Sequence, residues 1–164
     1  MNTYPLVFTC REMVAGKNFT AAIDITGRTL MEFEDGSWTV VGVEPGGFAD
    51  CGDTAQEAYN NFRVTLKTIL LDAVDAHPDD FQTFCSDVRT FGGTRNADAA
   101  ARWDAAREEI RAGGALEDPF AQGLPKRTNT IHPSVQIWRM DVVNEEVREK
   151  TNTLVANENL SSAA

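Results

Sequence analysis

The stretch from Thr29 to Ala58, TLMEFEDGSWTVVGVEPGGFADCGDTAQEA, decides how this chain folds. Asp35-Gly36 sits between two β-rich runs, Thr29 to Glu34 and Trp38 to Val43. A type I′ turn needs positive φ at both central residues, so this dipeptide predicts a hairpin. Glu44-Pro45-Gly46-Gly47 then stops the strand, because Pro brings no N–H and Gly admits turn conformations. After Gly52, Thr54 and Glu57 have capping-box spacing, with Thr54 accepting from the Glu57 N–H and the Glu57 carboxylate returning to the Thr54 N–H. Ala58, Phe62, Leu66, Ile69, Leu70 and Ala73 recur at helical spacing behind it and predict a long amphipathic helix to about Ala76.

Outward from this centre the pattern continues as α+β. Tyr4 to Cys10 reads as a first strand with Pro5 near its start, and Asn18 to Ile25 as a second, with Thr26-Gly27-Arg28 able to turn the chain. Beyond Pro78 two more helices are expected. The first presents Phe81, Phe84, Cys85 and Val88 on one face and ends at Phe91-Gly92-Gly93. The second is capped by Asn96, carries Ala99, Trp103, Ala106 and Ile110, and closes at Gly113-Gly114. Residues 113–133, with their glycines and prolines, read as a linker, and Ser134 to Val143 as a late strand. Residues 144–164 read as a weakly helical or frayed tail. The expected architecture is one domain over 1–143: a small, largely antiparallel sheet of three to four strands plus the late one, packed on two or three helices.

Composition narrows the function. A chain of 164 residues that is 42% hydrophobic has enough apolar material for a core. Acids outnumber Lys and Arg by 7 to 3 in residues 1–50, 8 to 4 in 51–100 and 10 to 8 thereafter, for a net charge of −10. No basic segment hides inside that average, so phosphate neutralisation does not point to a nucleic-acid binder. An electrostatic partner should be a basic protein. Cys10, Cys51 and Cys85 form no closely spaced pair, and MNTYPLVFTCREM lacks the pattern of a signal peptide; both suggest a reducing cytoplasm. No apolar run approaches the ~20 residues that span a bilayer.

The inventory of chemistry offers no catalytic motif. His77 and His132 are the only histidines, and no Cys or His pair has zinc-ligand spacing. His77 suits a helix C-terminus, where a cationic ring meets the dipole. Pro45-Gly46-Gly47 matches neither the P-loop nor the dinucleotide fingerprint. No metal, cofactor or enzymatic activity is expected.

Taken together, Asp35-Gly36-Ser37-Trp38, Val43-Glu44-Pro45-Gly46-Gly47 and Gly52-Asp53-Thr54-Ala55-Gln56-Glu57-Ala58 resemble the HicB antitoxin family. Its pattern is a glycine–aromatic strand, a proline-glycine loop and Gly-Asp-Thr-x-x-Glu-Ala, and the match runs over about residues 30–73. The family loop usually reads Pro-Asp-Leu-Pro-Gly-Cys, where this chain has Val43-Glu44-Pro45-Gly46-Gly47-Phe48. The helical stretch 78–112 would be an insertion. The tail after Val143 matches neither the helix-turn-helix nor the ribbon-helix-helix that family members commonly carry, so DNA binding is not expected.

The resemblance implies a partial ribonuclease H-like fold and a non-enzymatic antitoxin that covers a small basic RNA-cleaving toxin. The contacts expected from the strand-loop-helix unit are Trp38, Glu44, Phe48, Asp50 and Asp53. Trp38 reads equally as a core aromatic, Glu44 and Asp50 as solvated loop charges, and Asp53 as a helper of the helix cap. Phe48 must either fold inward or serve as an anchor. Two other readings stand beside this one: a stand-alone adaptor or structural module, and a metal-dependent nuclease that an Asp24→Ala change would test. A homodimer through an exposed sheet edge is compatible with all three.

Overall fold

The computed structural model describes residues 2–113, Gln122 and 132–141. Its elements are β1 (Asn2–Ala15), β2 (Thr20–Glu34), β3 (Ser37–Glu44), β4 (Gly46–Gly52), α1 (Ala55–Ala76), α2 (Phe81–Gly92), α3 (Ala97–Arg111) and β5 (Ser134–Arg139). This is the expected α+β fold, and every strand pairing is antiparallel. The sheet order is β1-β2-β3-β4, and β5 joins β2. β2 is the spine. β1 pairs with its whole length, β3 takes Arg28 to Glu34 on the other side, and β5 takes Ala21 to Thr26 on that same side.

Side chains alternate across the sheet and divide its two faces. Tyr4, Phe8, Cys10, Ile23, Ile25, Met31 and Val40 face α1 and α2, where Phe62, Leu66, Leu70 and Phe84 complete the main core. Leu30, Val41 and Val43 face the other way and are covered by Ala99, Ala100 and Trp103 of α3. The two helices of the 78–112 stretch therefore lie on opposite faces. Trp103 is pinned there by its indole N–H, which donates to the Leu6 carbonyl at 3.1 Å. The Arg28 and Arg107 guanidiniums also lie over its ring, at 5.2 and 5.4 Å from the centroid.

The hairpin at Asp35-Gly36 forms as expected, with φ of 51° and 84°. The capping box forms with one change: Thr54 accepts from the Glu57 N–H at 3.1 Å, but the Glu57 carboxylate binds the Asp53 N–H at 3.0 Å rather than that of Thr54. Three segments differ from their sequence reading. Thr26-Gly27-Arg28 is not a turn, because β2 runs straight through it. Glu44-Pro45, a cis peptide, ends β3, yet the chain goes directly into a further strand, β4, that the sequence did not announce. Among the described residues the late strand stops at Arg139, short of Val143. The linker at 113–133 and the tail at 144–164 fall almost wholly outside the described residues.

Helix α2 starts on Asp80, whose carboxylate accepts from the N–H groups of Gln82 and Thr83 at 3.1 and 3.0 Å. The Thr83 hydroxyl donates to it at 2.7 Å. That hydroxyl contact, followed by the Thr83 backbone bond, holds the Asp80 carboxyl below the usual carboxylate range, against a smaller opposing desolvation. A depressed folded value means the cap contributes above the unfolded value, near 3.9, and fades as pH falls through the folded one. Scanning calorimetry from about pH 5 to 2.5 should thus show the melting temperature falling more steeply for the native chain than for Asp80→Asn. Asparagine caps without titrating over that range.

Among the described residues no helix is long and apolar enough to cross a membrane. Burial pushes the Cys10 and Cys85 thiols up, whereas Cys51 is exposed.

Candidate binding surface

Strand β5 reads Ser-Val-Gln-Ile-Trp-Arg. Val135 and Ile137 pack against the main core, so the pleat sends Ser134, Gln136 and Trp138 to the opposite face. The register places Trp138 beside Ala22 and Ala22 beside Met13, a row across three strands. The neighbouring row is Arg11, Asp24 and Gln136. Arg11 Nε donates to Asp24 Oδ2 at 2.7 Å. Arg11, Met13, Ala22, Asp24 and Trp138, with Glu12 and Ile23, line an open hollow of about 340 Å³. Trp138 is 47% exposed and Met13 68%, whereas most large apolar residues of the sheet are covered. The Trp138 indole and the Met13 thioether thus stand in the open on either side of Ala22.

A second hollow, of about 210 Å³, lies at the other end of β1 between the strand and the start of α1. Leu6, Val7, Met31, Ala55, Gln56 and Tyr59 line it. Helix α1 runs alongside β1 from there. Arg63 stands beside the Cys10 thiol, and Lys67 reaches Glu12 at 3.1 Å.

The residues read from the sequence as contacts are mostly turned to internal work. Trp38 is half-buried, stacked on Tyr4 with centroids 5.9 Å apart and against Phe33 at 4.8 Å. Phe48 takes the inward option: its ring lies on Phe62 at 4.6 Å and 16° and near Phe91 at 5.9 Å. Glu44 is not a solvated loop charge but is paired in register with Arg28, at 2.8 Å. Asp50 lies on the α1 side of β4, where Thr65 donates to Oδ1 at 3.2 Å. Its other oxygen is buried without a partner. Asp53 is exposed. The five do not converge on one outward surface.

Sequence reading missed Met13, Trp138 and Arg63. The signal for Trp138 was present in the alternation of SVQIWR, which makes Val135 and Ile137 one face and the indole the other. His77 sits at the C-cap of α1, as expected, and its Nε2 is 2.8 Å from Asp87 on α2, a contact the sequence did not suggest.

Fold and surface together define an α+β protein whose five-stranded sheet carries helices on both faces and leaves an aromatic corner open. Comparison with known protein families, curated proteins and solved structures returns no match.

Proposed function

We propose that this protein is a binding module, a HicB-like antitoxin that covers a small basic RNA-cleaving toxin through the open corner around Met13 and Trp138. The observation that carries the binding role is the exposed Met13–Ala22–Trp138 row. The ring face of Trp138 suits a Lys or Arg side chain, and methionine adapts to irregular partners. The net charge of −10 draws a basic protein toward the whole molecule. The Asp35-Gly36 hairpin and the Thr54 cap, two of the features behind the HicB resemblance, are formed, which is compatible with the family reading.

The test is co-expression with the small Lys- and Arg-rich product of an adjacent reading frame. A stable complex that suppresses RNA cleavage is expected, and Trp138→Ala should weaken it by about 2–4 kcal/mol, some 30- to 1,000-fold. No complex would overturn the reading. A chain with no such neighbour would favour the adaptor, which uses the same surface on another protein. Binding is preferred to the nuclease because the Asp24 carboxylate is engaged by Arg11. Mg²⁺-dependent RNA cleavage lost in Asp24→Ala would reverse that preference.

A further inference from the structure

Strand β1 is 14 residues long and, among the described residues, pairs only with β2, so one side of its backbone forms no ladder. Exposed sheet edges are templates for an added strand. Two features decide what this one would accept. The hollow at Leu6, Val7 and Tyr59 is apolar walled and sized for a single side chain. Further along, α1 presents Tyr59, Arg63 and Lys67 at intervals of four, so they line one flank of the helix. Lys67 is satisfied by Glu12. Arg63 is exposed and has no carboxylate partner among the described residues, although the chain as a whole carries 25 acids against 15 bases.

We propose that the groove between the β1 edge and α1 is a second docking site, which takes an extended, acidic segment of a partner protein as an added strand. The apolar hollow lies at Leu6 and Arg63 lies at Cys10, four strand residues apart, or about 13 Å. Side chains four apart on a strand share a face. The segment recognised therefore carries an apolar residue four positions from a carboxylate, the first in the hollow and the second on Arg63. A second copy of this chain fits the edge less well. A two-fold axis normal to the sheet would pair β1 antiparallel with its copy and bring Arg63 of one α1 toward the same flank of the other, where like charges repel. A basic toxin meets the same obstacle, so this site is separate from the Trp138 corner.

The probe is a fluorescein-labelled, capped peptide, Thr-Ser-Leu-Thr-Val-Ser-Glu-Thr-Thr, with a companion that has Lys in place of Glu. Anisotropy titrations of the full chain at low salt should show the Glu peptide binding about tenfold more tightly than the Lys peptide. Arg63→Glu, an exposed change on the helix surface, should reverse that order. Hydrogen exchange at Val7 to Arg11 should slow in the complex. The proposal is overturned by any of four results. These are no binding at millimolar peptide, an order unchanged by Arg63→Glu, binding without protection of β1, and concentration-dependent protection of β1 without peptide, which would assign the edge to a second copy.

Discussion

Phe62→Ala is expected to lower the free energy of unfolding by about 3–5 kcal/mol, a large fraction of the ~5–15 kcal/mol typical of a domain. Phe62 is fully buried on α1 and is where three elements meet. Phe8 of β1 meets it edge-on at 5.5 Å and 81°, and Phe48 of β4 stacks on it at 4.6 Å and 16°. Truncation removes the apolar area of one ring, two aromatic contacts of about 0.5–1.5 kcal/mol each, and the surface on which Phe48 rests. Phe48 brings the most apolar side chain of β4, so the edge strand should loosen with the core. Urea denaturation should show a lower midpoint at nearly unchanged slope. Hydrogen exchange should rise first in Gly46 to Gly52. Phe62→Leu, which keeps most of the volume, should cost far less. A loss under about 1 kcal/mol for the alanine variant would mean that the packing of α1 on β4 is not as described.

That dependence explains why β4 was invisible in the sequence. Gly46 to Gly52 reads GGFADCG, with three glycines and a single large apolar residue, and nothing in it alternates strongly enough to announce a strand. It is a strand because β3 offers it a partner and Phe62 offers Phe48 a seat. The pairing is imposed by tertiary context, which local pattern does not carry. Where local chemistry is self-sufficient the reading succeeded. Asp35-Gly36 needs only its own backbone, and Thr54 and Asn96 each cap a helix from within a few residues. The binding surface follows the same division. Trp138 was accessible through alternation, but its neighbours Ala22 and Met13 come from strands more than a hundred residues away, and only the register brings them together. Glu44 looked like a loop charge because its partner Arg28 lies across the sheet.

Gly27→Ala is the second change with a large expected effect, and it tests the segment whose reading was most mistaken. Thr26-Gly27-Arg28 has the composition of a turn, yet Gly27 is buried inside β2 with Phe8 across from it. The glycine is there for closeness. A Cβ at Gly27 would lie 2.4 Å from the Glu44 carbonyl oxygen and 2.6 Å from Cε1 of Phe8. The ring has little room to swing aside, because it is buried and already meets Phe62. The carbonyl belongs to backbone where the β2–β3 register shifts, so it can withdraw only by parting the strands. Overpacking of a core costs about 1–3 kcal/mol, and a clash with fixed backbone belongs at the upper end of that range. A double-mutant cycle separates the two contacts. Phe8→Leu should recover part of the loss in Gly27→Ala by relieving the ring. The remainder should persist, because no side-chain change moves the Glu44 carbonyl. Full recovery in the double variant would place the whole constraint in the Phe8 ring, and no loss at all in Gly27→Ala would return this segment to the status of an ordinary turn.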